Sequence, residues 1–171
     1  MASPQLSSHQ DDILLTTATG QVGVRRTQDK GWAHAITQQG KILWSVELPG
    51  EPLPEEVILP SAGLVYHALK TGELVALHVN DGSVAWSAEI GEALNGAAGL
   101  SNDTSPPLIA AVATDGRVSV RNAINGSEII GFDVGSGGYT APLFDGDILY
   151  IATPTSISAY GGLGALLKSG N

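Results

Sequence analysis

The residues through which this chain of 171 amino acids could do chemistry are few: four histidines, two acids around a glycine near position 146, and a glycine-rich stretch near the C-terminus. The histidines are His9, His34, His67 and His78. If Thr71-Gly72 closes a two-residue hairpin, His67 stands opposite Ala76 and diagonal to His78 on one face of the pair. Diagonal neighbours lie about 7–8 Å apart, too far for chelation without a third ligand, so these read as partly exposed strand histidines and no metal site is expected. Asp145-Gly146-Asp147 has two acids of a calcium loop, but the continued Asx run and the closing Glu are missing. A hairpin turn ahead of a strand from Ile148 to Ala152 is the better reading. There is no Ser-His-Asp order and no Gly-x-Ser-x-Gly elbow. In the tail, Lys168-Ser169 follows Leu167, where a phosphate-binding loop requires Gly. Asn102-Asp103-Thr104 and Asn125-Gly126-Ser127 fit the glycosylation sequon, a short pattern that arises often by chance.

Composition narrows the classes further. Cysteine is absent, which excludes disulfides, thiolate metal sites and cysteine nucleophiles. Hydrophobic residues make up 43% and charged residues 15%, enough to build a core in one domain or two small ones. The formal net charge is −9, and Arg25-Arg26 is a lone basic pair, so the chain lacks the clustered Lys/Arg that phosphate backbones and acidic lipid surfaces need. Nucleic acid is not expected as a partner. No run approaches the roughly 20 apolar residues of a membrane helix. The first ten residues have neither a basic nor an apolar signal region, so no export signal is expected in the chain as given.

The elements that must position any site are short strands, and they repeat. Gly72, Gly82, Trp86 and Gly91 recur 44 residues later as Gly116, Gly126, Ile130 and Gly135. Gly40 and Trp44 precede Gly82 and Trp86 by 42 residues, and Ser156 to Tyr160 matches Glu73 to Leu77. About four copies are expected, with approximate bounds 12–50, 51–91, 92–135 and 136–160; 1–11 is expected as a flexible lead-in and 161–171 as a Gly-rich tail. Within the second copy, Leu64 to Leu69, Leu74 to Val79 and Ser83 to Ile90 are apolar runs broken at Thr71-Gly72 and Asn80-Asp81-Gly82. The third copy has Ile109 to Thr114, Val118 to Asn122 and Glu128 to Val134. Asx-Gly and Thr-Gly between apolar runs are hairpin signals. Preceding strands fit at Val57-Ile58-Leu59 and at Thr140 to Phe144, and four strands in such a length make a propeller blade. Ile13 to Val24 reads as a strand–turn–strand half, or as the source, around Ile13 to Thr17, of the last copy's missing strand.

The second copy resembles the tryptophan-docking repeat of pyrroloquinoline-quinone (PQQ)-type β-propellers. That pattern is Ala, then Asp or Asn, Thr-Gly-Lys, Trp and a closing Gly. Ala76, Gly82, Trp86 and Gly91 hold its spacing, with Ser83 in place of Lys and His78 in place of Asp. Asn122, Gly126, Ser127 and Gly135 match in the third copy, where Ile130 replaces Trp; Ala35, Gly40-Lys41 and Trp44 match in the first. The resemblance implies an all-β fold of about four PQQ-like blades, with Trp44 and Trp86 packing between blades together with Gly40, Gly82, Gly91, Gly126 and Gly135. A ring of Trp buries about 150–250 Å² when wedged so.

The resemblance also implies what is missing. Quinone dehydrogenases of this type have about eight blades, a central calcium and a catalytic Asp, and members are often periplasmic or extracellular. Here the blades are half as many and nothing matches a cofactor shell, so no catalytic, cofactor-binding or metal residue is assigned. The leading expectation is a non-catalytic protein-interaction scaffold, either as a homodimer that completes a ring or as part of a longer propeller. The alternatives are a fragment or subunit of a PQQ-dependent dehydrogenase-like propeller, and a small-molecule or glycan binder using the mouth, for which Trp32 and Tyr139 are the available tip aromatics.

Overall fold

Leu64-Val65-Tyr66-His67-Ala68 has no polar alternation because both its faces are buried. A short apolar run of this kind belongs in the middle of stacked sheets. In the computed structural model, which describes residues 5–7, 13–20, 30–37, 39–137, 140–163 and 165, it lies in the second of four antiparallel sheets.

The first sheet holds β1 (Gln5–Ser7), β2 (Ile13–Gly20), β3 (Lys30–Thr37) and β4 (Ile42–Leu48), and the second holds β5 (Val57–Leu59), β6 (Leu64–Ala68), β7 (Glu73–His78) and β8 (Val84–Glu89). The third holds β9 (Gly99–Ser101), β10 (Leu108–Val112), β11 (Arg117–Asn122) and β12 (Glu128–Asp133), and the fourth β13 (Leu143–Asp145), β14 (Ile148–Ala152) and β15 (Ile157–Tyr160). Each sheet is a meander, with every strand paired to its neighbour in sequence. This is an all-β, partial-propeller architecture.

Three apolar layers separate the four sheets. Ala33, Ala35 and Leu48 of the first sheet meet Val65, Val75 and Leu77 of the second. Leu64, Tyr66, Leu74 and Ala76, on the opposite face of the second, meet Ile109, Ala111 and Ala123 of the third. Leu108, Ala110, Val118 and Val120 of the third meet Leu149 and Ile151 of the fourth, with Leu163 of the tail added. Strand alternation assigns odd and even residues to successive layers, so one strand serves two junctions.

Three sequence expectations change here. β1 lies within the segment expected as a flexible lead-in, and is laddered to β2 from Gln5↔Leu15 to Ser7↔Ile13. Ile13–Gly20 is one continuous strand, paired on one side with β1 and on the other with β3, so neither of its edges is free to complete the fourth sheet. Residues 21–29, the rest of the expected half-blade, lie outside the described residues. The third change concerns the turn at Thr71-Gly72. Leu69 N–H donates to the Glu73 carbonyl at 2.8 Å and Gly72 N–H to the Leu69 carbonyl at 3.0 Å, so the loop has three residues, Lys70-Thr71-Gly72. Gly72, with φ 91°, supplies the left-handed bulge position that such a loop needs.

That single residue moves the register. His67 stands opposite Val75, Tyr66 opposite Ala76 and Leu64 opposite His78. A slip of one residue turns a side chain to the other face, so His67 and His78 do not share a surface. His67 is only 2% exposed, not the partly exposed strand residue expected, whereas His78 is exposed. At Asp145-Gly146-Asp147 the hairpin does form: Asp145 pairs with Ile148 across Gly146-Asp147, and Gly146 has φ 60°.

Candidate docking surfaces

The repeated tryptophans lie at the junctions between sheets. Trp44, opposite Ala35 on β4, sends its Nε1 proton to the Val79 carbonyl of the second sheet at 2.7 Å. Trp86, opposite Ala76 on β8, donates in the same way to the Ala123 carbonyl of the third sheet at 3.0 Å. Each indole lies on a glycine of the next sheet. A Cβ at Gly82 would stand 2.6 Å from the Trp44 ring, and one at Gly126 would stand 2.7 Å from the Trp86 ring. Both glycines also have positive φ, 72° and 74°, so turn geometry and ring contact demand the same residue. Gly91 sits against Ala113 and Asp115 of the third sheet, and Gly135 (φ 78°) follows β12 with its N–H bonded to Asp133 Oδ1.

Tyr66 is part of this joint, though its position in the sequence marks it only as an apolar strand residue. Its ring tilts against Trp86 with centroids 5.7 Å apart, and its hydroxyl donates to the same Ala123 carbonyl at 2.9 Å. Burial pushes its phenol well above the ordinary tyrosine range. Ile130, which replaces the tryptophan in the third sheet, stands opposite Val120 and packs in the third apolar layer without a polar bond to anchor it.

The two outermost faces are different. On the fourth sheet, the register sets Leu143, Tyr150 and Ala159 in one row and Ala152 beside Ile157 in the next, on the face turned away from Leu149 and Ile151. Leu143 is 66% and Ile157 79% exposed, and Tyr150 is half-buried. On the first sheet, Trp32, His34 and Ile36 face away from Ala33 and Ala35. Trp32 stacks on His34 with centroids 6.5 Å apart, and His34 Nδ1 is 2.8 Å from Ser45 Oγ. Tyr139, the other expected tip aromatic, lies outside the described residues.

Polar clusters elsewhere serve the strands that hold them. Glu128 accepts from Ser119 Oγ at 2.7 Å and from Arg121 at 3.0 Å, with Arg117 at 3.4 Å; the Ser119 hydroxyl first, then the two guanidinium charges, hold its carboxyl below the usual range. Asp81 accepts from the hydroxyl and N–H of Ser83, which lowers its carboxyl and closes the turn before β8. Asn125 does the same for Ser127 in the next copy. Burial lowers His67 to about 4, and among the described residues neither ring nitrogen has a hydrogen-bond partner. Among the described residues no three His, Cys, Asp or Glu side chains gather as a metal would require. The lead-ins to the innermost strands of the second, third and fourth sheets enclose an open cavity of about 280 Å³, lined by Leu53, Pro54, Glu55, Asn95, Gly96, Ala97, Thr140 and Ala141. No helix among the described residues is long and apolar enough to cross a membrane.

Residues 4–166 match the family model described as outer membrane protein assembly factor BamB. Among solved structures, BamB from Moraxella catarrhalis superposes with a TM-score of 0.64 at 16% identity, over 87% of this chain and 42% of that one. Saccharomyces cerevisiae Sqt1 superposes at 0.63 and 13% identity, over 85% and 45%. The computationally designed Ika4 protein superposes at 0.69 and 15% identity, over 94% of this chain and 92% of that one. The chain therefore spans less than half the length of the two natural propellers and nearly all of the designed one. No curated protein matches the sequence.

Proposed function

The chain belongs to the family of the outer membrane protein assembly factor BamB, and we propose that it acts there as a non-catalytic module for protein–protein contact. The observation that carries this reading is an apolar face of the fourth sheet that no described sheet covers, where Leu143 and Ile157 are 66% and 79% exposed, opposite the face that packs Leu149 and Ile151 against the third sheet. Apolar faces left at the end of a stacked array are the surfaces such repeats use for a neighbour or a partner. In this reading 51–91, 92–135 and 136–160 are repeat units, and the first, expected at 12–50, extends back to take in β1. Trp44 and Trp86, with Gly40, Gly82, Gly91, Gly126 and Gly135, are docking positions and not ligands of a cofactor. A protein partner, a second copy of this chain included, covers the open ends. The role named in the family's description, assembly of outer membrane proteins, is the setting this reading favours.

A photo-crosslinking residue placed at Ile157 in cells tests the proposal, with one at Val84 as the exposed control on another sheet. A discrete protein adduct at position 157 and none at 84 supports it. PQQ with calcium should leave the melting temperature of the purified chain unchanged. A ligand-induced rise in melting temperature together with no adduct at 157 would overturn the reading in favour of a quinone or small-molecule binder.

A further inference from the structure

Asn-Gly occurs twice in the sequence, at Asn95-Gly96 and at Asn125-Gly126. In such a pair the asparagine side chain is exposed to attack by the next backbone nitrogen, because glycine puts no Cβ in the way. At Asn125 the fold blocks this. Gly126 N–H is bonded to the Asn122 carbonyl at 2.9 Å, and Asn125 Oδ1 accepts from Ser127 N–H at 3.0 Å and from Ser127 Oγ at 2.8 Å. The Trp86 ring lies on Gly126 and pins the same turn. The nitrogen that would attack and the amide that would receive it are both committed. Two Asp-Gly turns are tied in the same way, Asp81 to Ser83 and Asp115 to the Arg117 N–H.

Asn95-Gly96 carries no such restraint. It lies in the irregular stretch between the Leu94–Ala113 bridge and β9, with the Asn95 side chain exposed on the cavity that Glu55 and Thr140 also line. Among the described residues nothing hydrogen-bonds the Asn95 amide or the Gly96 N–H. Gly96 is needed for a different reason. A Cβ there would stand 2.6 Å from the Thr140 carbonyl carbon and 2.7 Å from its oxygen, so the lead-ins of the third and fourth sheets meet backbone to backbone at this glycine.

We propose that Asn95 is a site of spontaneous covalent modification, and that its product loosens the junction between the third and fourth sheets. The Gly96 nitrogen forms a bond to Asn95 Cγ and gives its proton to water; the Cγ–Nδ2 bond breaks and ammonia leaves, closing a five-membered succinimide. Water then opens the ring at one carbonyl or the other, to aspartate or isoaspartate. One water enters and one ammonia departs, with no oxidant or reductant. Either product sets a second carboxylate beside Glu55 on the cavity wall. Isoaspartate also lengthens the main chain by one carbon just before Gly96, where the contact with Thr140 leaves no room even for a Cβ.

The test is peptide mapping by mass spectrometry, with fragmentation that separates aspartate from isoaspartate, on the whole purified chain kept warm at neutral pH in water labelled with heavy oxygen. Label should enter at position 95 about tenfold or more faster than at position 125, the margin expected when three hydrogen bonds must open first. In urea the two rates should converge, since the local pair is the same. Ser127→Ala, which removes one clamp, should speed position 125 and leave position 95 unchanged. The isoaspartate-bearing fraction should melt below the fresh chain, while Asn95→Asp, which adds the charge without the extra carbon, should melt with it. Equal rates at the two positions in the folded chain overturn the proposal. So does a faster rate at position 95 that persists in urea, or an isoaspartate fraction whose melting is unchanged.

Discussion

Trp86 lies on Gly126, with its ring 2.7 Å from the place a Cβ would take, and the same indole is tied by its Nε1 to the carbonyl three residues earlier, at Ala123. One turn of the third sheet thus offers a flat seat and a polar anchor to a side chain of the second. Trp44 uses Gly82 and Val79 in the same manner. A polar anchor of this kind fixes the ring's position where apolar packing alone would let it slide.

Truncation of the buried indole should therefore be costly. Trp86, 9% exposed, sits in the second apolar layer with Tyr66 and Ile109. Trp86→Ala is expected to lower unfolding stability by about 3–5 kcal/mol in a denaturant melt. Trp86→Phe, which keeps an aromatic ring but loses the bond to Ala123, should lose about half of that or less. A loss under about 1 kcal/mol for the alanine variant would contradict the joint.

The glycine seats make a sharper comparison. Gly82→Ala and Gly40→Ala both place a side chain at positive φ, at a cost of about 1 kcal/mol each. Only the Cβ at position 82 strikes an indole, so Gly82→Ala should be the more destabilising by at least about 1 kcal/mol in the monomer. Equal losses measured by urea titration would mean that the Trp44 ring does not rest there.

His67 should make the fold sensitive to mild acid. It lies on the face that the second sheet turns to the first, and its folded pKa, lowered by burial to about 4, lies below the ordinary 6.5. The unfolded chain then binds the extra proton between those values, so stability is full above about pH 6.5 and falls as the pH drops toward 4. The loss reaches roughly 3 kcal/mol at most. His67→Leu should flatten the difference between melts at pH 5 and pH 7.5, and an unchanged slope in that variant would assign the acid sensitivity elsewhere.

The repeat was legible because its markers are rare residues. Trp44 and Trp86 are two of only three tryptophans, and each follows a glycine at the same distance, so the offset stood out of a chain with no helical periodicity. From that offset the all-β propeller class follows. The register inside a hairpin did not, since Thr71-Gly72 reads as a two-residue turn and only the Leu69–Glu73 bond reveals the third residue, Lys70. That slip misplaced His67 by a whole face. Tyr66 was hidden for another reason: its partner carbonyl at Ala123 is 57 residues away, and its neighbours in sequence are all buried too, so no pattern sets it apart. The open face of the fourth sheet was half visible. Ile148 to Ala152 is apolar throughout and reads as a buried strand, and the exposure of Leu143 and Ile157 beside it follows only from there being no described sheet beyond that face.

Hydroxyl-radical footprinting of the wild-type chain, read by mass spectrometry from dilute to concentrated solution and again with any protein captured through Ile157, tests most directly whether that face is a contact surface. Tyr150, Leu143 and Ile157 should react readily when the chain is dilute and become protected together as the contact forms, while buried Tyr66 stays unreactive throughout. Tyr150, Leu143 and Ile157 reacting equally under every condition would contradict the account.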